Sequence, residues 1–210
     1  MAASRTHIQD LLGLAIRRVN AGQPEQARLL CAEAQANHPP HPAVQQLLAV
    51  LALQAGDAAL ACRHAEASLA LRPDHPPTLV LAGTAQQQTG QWRAALQTLT
   101  QAVALLPDHA DAWFTLALVR QDLGDLAGAV QALERVLHLA PRRVDAAHNL
   151  GIVQQELGDL PLAMRAYGRA LRLHDASFGR IAHALAAAPC GGLWLDLAAL
   201  RADLLGPTAS

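Results

Sequence analysis

Glycine recurs at Gly22, Gly56, Gly90, Gly124 and Gly158, each 34 residues after the last. Alanine keeps the same step at Ala27, Ala61, Ala95, Ala129 and Ala163, and proline at Pro39, Pro73, Pro107 and Pro141, with Asp175 in the fifth place. Three registers sharing one period make the chain a tandem array of one supersecondary unit, repeated five times. Apolar residues at helical spacing flank each glycine, so the unit reads as helix, turn, helix. The glycine suits the left-handed conformation that closes the first helix. The next residue is Asp57, Asp125 or Asp159 in three units, a good N-cap for the second helix, and Gln23 or Gln91 in the other two. Pro24 and Pro161 fall in the first turn of that helix, where a missing N–H costs little. The repeated alanine fits a close helix crossing, and the closing proline forbids continuation of the second helix.

The array spans residues 8–177 as units 8–41, 42–75, 76–109, 110–143 and 144–177. A capping helix is expected over 178–188, with Ile181 and Leu185 facing inward. Pro189-Cys190-Gly191-Gly192 then reads as a hinge at 189–192, and residues 193–210 as an amphipathic helix and tail closed by Gly206-Pro207. Composition agrees with an all-α fold. The chain is 52% hydrophobic but only 3% aromatic, which favours tight helix packing over sheet.

The fourth unit, with Trp113-x-x-Leu116-Ala117, Gly124, Ala129-x-x-x-Leu133 and Pro141, resembles the tetratricopeptide repeat family, and the fifth repeats the pattern with Leu150-Gly151, Gly158, Ala163 and Tyr167. Departures are local. Arg18, Ala52, Gln86, Arg120 and Gln154 stand where the family carries an aromatic in the first helix. The resemblance implies a right-handed α-solenoid of helical hairpins whose first helices line a concave groove for a protein or peptide partner. Such hairpins bury their apolar sides only by stacking on neighbours, and the end units need polar caps. Gln35 and Asn37, in the places of Leu69 and Leu71, suit such an end.

Read along the groove, the first helices offer Leu12 and Ile16; Gln46, Val50 and Leu53; Val80, Thr84 and Gln87; Phe114, Leu118 and Gln121; and His148, Asn149, Ile152 and Gln155. The stripe is apolar along its axis with amides on one margin, which suits an apolar helical segment, the amides holding its backbone. The alternative is that packing between the repeats hides much of it. A subset of the family clamps a C-terminal carboxylate with paired lysine and asparagine residues. Here only Asn149 sits comparably, beside Phe114 and Thr115 of the preceding unit, so no clamp is expected. Leu193, Trp194, Leu197, Leu200 and Leu204 form a second stripe, on the last helix. It either seals the fifth unit of its own chain or docks onto another copy, which would make a homo-oligomer.

Chemistry is sparse. All 16 basic residues are arginine, which excludes lysine-dependent catalysis, and 17 acidic residues balance them, which argues against nucleic-acid binding. No apolar run is long enough to insert in a membrane. His41, His75 and His109 recur at the repeat step. Equivalent residues in stacked helices stand at least about 8–10 Å apart, too far to share a metal whose ligands sit at about 2.0–2.3 Å. Cys31, Cys62 and Cys190 fit no metal or redox motif and suit a reducing cytoplasm. Asp111, Asp122, Asp145 and Glu156, beside Arg142 and Arg143, read as charge selection on a partner. The expectation is a non-enzymatic scaffold without cofactor or metal.

Overall fold

In the computed structural model the described residues are 2–187 and 196–206, with side chains described for 7–186 and 196–206. Among them all regular structure is helical: α1 Ala2–Asn20, α2 Pro24–Asn37, α3 Pro42–Gln54, α4 Ala58–Leu71, α5 Pro76–Gln88, α6 Trp92–Leu105, α7 Ala110–Asp122, α8 Leu126–Leu139, α9 Val144–Glu156, α10 Leu160–Leu173, a 3-10 turn at Asp175–Ser177, α11 Phe178–Ala187 and α12 Leu197–Leu205. The fold is the all-α helical-hairpin solenoid that the period implies.

The chain forms two compact units, Met1–Pro107 and Asp108–Ser210. In the first, the hairpins α1/α2, α3/α4 and α5/α6 stack with α2 on α3 and α4 on α5, so that α1, α3 and α5 lie side by side. In the second, α7/α8 and α9/α10 stack through α8 and α9, and α11 and α12 continue the array on α9 and α10 respectively.

Each hairpin closes by the same local chemistry. The five turn glycines have φ between +70° and +83°. Around Gly124, its N–H donates to the Gln121 carbonyl at 2.9 Å and the Asp125 N–H to the Arg120 carbonyl at 2.8 Å. This is the paired 5→2 and 6→1 arrangement that satisfies the last carbonyls of a helix. The Asp57, Asp125 and Asp159 carboxylates accept the backbone N–H groups of Leu60, Gly128 and Leu162 at 2.9–3.0 Å, whereas Gln23 and Gln91 make no side-chain cap. Glutamine is one methylene too long to fold back onto that N–H.

The five register alanines have no exposed surface. In the third and fifth units the first helix carries glycine where it meets its partner. A Cβ on Gly83 would collide with Leu99, and one on Gly151 with the ring of Tyr167. In the second unit, Leu133, Val136, Tyr167, Ile181, Leu185, Leu200 and Leu204 share one apolar cluster. Ile181 and Leu185 face inward as expected. The first unit has several smaller clusters, one of them joining Ala27, Cys31 and Ala34 of α2 to Val44 and Leu51 of α3.

The tail departs from expectation in two ways. α12 begins at Leu197, not Leu193, because the Asp196 carboxylate caps it, accepting from Ala198 and Ala199 N–H at 2.8 and 3.0 Å. Leu200 and Leu204 are buried against α10 of the same chain, but Leu197 in the first turn is 54% exposed and does not join them. The approach is close because residue 168 is glycine: a Cβ there would strike the Leu204 carbonyl oxygen. Leu193, Trp194, Cys190 and the 189–192 hinge lie outside the described residues. α11 packs on α9 and α12 on α10, with α11 and α12 also in contact with each other.

Candidate peptide-binding faces of the first helices

In the first unit, α1 and α3 run side by side and leave a cleft between them. Leu12 and Ile16 of α1 face Ala43, Gln46, Leu47 and Val50 of α3 across a cavity of about 230 Å³. Four of these six, Leu12, Ile16, Gln46 and Val50, belong to the stripe read from sequence. Ile16 is 49% exposed although isoleucine is among the most readily buried residues. Neither α3 nor α5 contains a charged residue, so the face they present is neutral. Leu53 packs instead beside Ala52, Ala61 and Cys62. Val80, Thr84 and Gln87 are half-buried on α5 and do not line the cleft.

The corresponding face of the second unit is built differently. Phe114 lies under the Arg143 guanidinium, 4.3 Å from the ring centroid. Arg143 also donates to Asp111 at 2.5 Å and Asp145 at 3.0 Å. Burial works against its charge, but its hydrogen bonds to Asp145 and Asp111 outweigh it and hold its pKa above the usual value. Arg143 thus neutralises two carboxylates that the sequence left free to select a partner. Leu118 is half-buried; Phe114 and Ile152, also half-buried, rest on the core. The Gln121 amide donates to Glu156 at 2.8 Å and the Asn149 amide to the Asp145 carbonyl at 3.0 Å. His148 is half-buried against the Tyr167 ring, at 5.7 Å between centroids. Burial, aided by the nearby Arg180 charge, pushes its pKa down.

Gln155 is a correction. It was expected on the groove margin but is 2% exposed. Its Oε1 accepts the Tyr167 hydroxyl at 2.9 Å, and its Nε2 donates to the Ala184 carbonyl of α11 at 3.4 Å. It ties α9 to α10 and α11 and is not available to a partner. The signal was indirect: Tyr167, the only tyrosine in the chain, needs a partner for its hydroxyl once buried.

The histidine ladder has a structural use that the sequence reading missed. His41 and His109 are N-caps, their Nδ1 atoms accepting from Ala43 N–H at 3.3 Å and Ala112 N–H at 3.1 Å. His75, in the same place, bonds Thr78 Oγ1 at 2.8 Å. Cys31 and Cys62 are buried free thiols, and burial pushes Cys31 up to about 11. No described helix is long and apolar enough to cross a membrane.

A family model for the tetratricopeptide repeat matches residues 12–76, 80–144 and 114–178. Solved structures with the same fold include MamA, residues 41 to the end, from Desulfovibrio magneticus RS-1. It is 21% identical, covering 81% of this chain and 96% of that one, with a TM-score of 0.74. A second MamA structure is 20% identical over 84% of this chain and 95% of the other, with a TM-score of 0.72. TTC0263, a thermophilic TPR protein in Thermus thermophilus, is 22% identical over 85% and 99%, with a TM-score of 0.63. At these identities the likeness is one of fold. A comparison with curated protein sequences returns no match. With turn glycines, crossing alanines and helix pairs all in place over the matched segments, the chain belongs to the tetratricopeptide repeat family, whose fold generally serves as a non-catalytic scaffold for protein interactions.

Proposed function

We propose that this chain is a non-catalytic adaptor or assembly factor that holds an apolar, helical segment of a partner protein against its first helices. The observation that carries this reading is the neutral cleft of the first unit, where Leu12, Ile16, Leu47 and Val50 line an open cavity with Gln46 among them. Apolar surface left open beside the charge-free α3 costs solubility, and such surfaces mark interaction sites. A helix laid into the cleft would bury these side chains, while Gln46 satisfies polar groups along it. In the other unit Leu118 and Ile152, half-buried, would give a smaller apolar contact beside Phe114, which the Arg143 guanidinium covers, with Gln121, His148 and Asn149 on its margin. The two described thiols, buried and unpaired, suit a reducing cytoplasm.

Docking of the tail helix onto another copy is the competing scaffold reading. It requires Leu200 and Leu204 to leave their seat on α10, so it is the less favoured of the two.

The test is charge substitution in the cleft, with a partner isolated from the native host. Val50→Asp or Ile16→Asp would bury an unpaired carboxylate in the complex, at about 3 kcal/mol or more, a loss of roughly a hundredfold in affinity. Helical content should stay at the wild-type level, because Val50 is only half-buried and Ile16 exposed. Undiminished capture of the partner by both folded variants refutes the proposal.

A further inference from the structure

A second surface lies on another side of α1. In α3, α5 and α9, two positions seven residues apart are buried on the side that meets the second helix of the preceding hairpin. They are Val44 and Leu51, Thr78 and Ala85, and Ala146 and Val153, each no more than 2% exposed. In α1 the equivalent residues, one repeat earlier than Val44 and Leu51, are Asp10 and Arg17. Both are exposed, and among the described residues no helix packs on this side of α1. Between them lie Gly13 and Leu14, both half-buried. With His7 beside them, these residues line an open depression of about 420 Å³. Gly13 makes a notch: a Cβ built there would have only the Arg17 guanidinium near it, at 3.7 Å.

The order of these residues is self-complementary. At about 100° per residue, Asp10, Gly13, Leu14 and Arg17 fall on one face of the helix. Leu12 and Ile16, which line the proposed peptide cleft, fall about 150° and 110° from the middle of that face. Let two copies of α1 lie antiparallel about a two-fold axis between residues 13 and 14. Asp10 of each copy then meets Arg17 of the other, and Leu14 of each enters the notch left by Gly13 of the other. Every contact occurs twice, as an isologous interface demands. A face built only to solvate the end of the array needs charge, but it needs neither opposite charges placed symmetrically about a notch nor an aliphatic side chain next to that notch.

We infer that the exposed face of α1 is a homodimer interface whose occupant is a second copy of this chain, held by two Asp10–Arg17 pairs around interlocked Gly13 and Leu14. The contact runs from His7 to Asn20, on the order of 20 Å of helix at 1.5 Å per residue. A single helix pair of that length falls at the small end of specific interfaces, so the dimer forms and dissociates with concentration. Its ion pairs are exposed, and added salt weakens it.

The test uses the full chain in sedimentation equilibrium across a dilution series. The wild type should pass from monomer to dimer as concentration rises. Asp10→Arg sets two guanidinium groups together at each end of the contact, and Arg17→Asp sets two carboxylates together. Each variant alone should dimerise at least on the order of tenfold more weakly. Mixing the two variants in equal amounts restores attraction at both ends in a heterodimer, so dimer should reappear near the wild-type concentration. Both sites are exposed, and wild-type circular dichroism confirms that the variants fold. A wild type that stays monomeric throughout, single variants that dimerise like wild type, or a mixture no more associated than its components would each overturn the inference.

Discussion

Raising the pH tests the buried core of the second unit without mutation. Tyr167 is fully buried against Gly151 and bonded to Gln155, and burial raises its pKa above the ordinary value of 10.0, the Glu156 charge adding to the effect. A phenol whose folded pKa exceeds its unfolded pKa adds stability that is complete below the unfolded value. That stability is lost as pH climbs toward the folded one. The loss is about 1.4 kcal/mol for each pH unit above roughly 10. Cys31, held at about 11 against an ordinary 9.0, behaves in the same way in the first unit. It contributes on the order of 2–3 kcal/mol between those values. A domain with about 5–15 kcal/mol in hand is then brought near its limit. The readout is clean because the chain has one tyrosine and no lysine. Tyrosinate absorbance and helical circular dichroism should change together, in one transition well above pH 10. Tyrosinate appearing near pH 10 while the helices remain intact would refute the packing of Tyr167.

Three substitutions probe the repeat chemistry, and a fourth probes the tail. Asp125→Ala removes a cap from α8 and should lower stability in urea by about 1 kcal/mol, while Gln91→Asp, at a turn without a side-chain cap, should raise it by about 0.5–1 kcal/mol. Gly151→Ala drives a methyl group into the Tyr167 ring and should cost about 1–3 kcal/mol in the same assay. Gly168→Ala presses on the Leu204 backbone, which cannot move aside as a flexible side chain would. Hydrogen exchange over Leu197–Leu205 should accelerate while α7 to α9 stay protected, and unchanged exchange in α12 would contradict its seating on α10.

What is legible from sequence depends on how local the physics is. The glycine, alanine and proline registers answer steric rules acting within a few residues, so the helix pairs and their turns follow from the period alone. The neutral cleft is partly legible, because Leu12, Ile16, Gln46 and Val50 share helical spacing. Gln155 is not. It has the same spacing as its neighbours, and its burial depends on Tyr167, 12 residues on, and on α11, 29 residues on. Leu197 fails for a related reason: helical phase says which side it faces, not whether anything lies there. Arg143 looks like one charge among several until Phe114, Asp111 and Asp145 are brought around it by the fold. Histidine is seldom read as an N-cap, so the service of His41 and His109 is hidden behind their resemblance to a metal ladder.

Site-specific photocrosslinking in cells of the native host tests most directly whether the first-helix cleft is where the protein works. One crosslinker replaces Val50, inside the cleft; the control replaces Leu29, on α2 and 71% exposed. A discrete partner band from Val50 and none from Leu29 is expected, even though Leu29 is the more accessible. Crosslinking from Leu29 with none from Val50 would contradict the account.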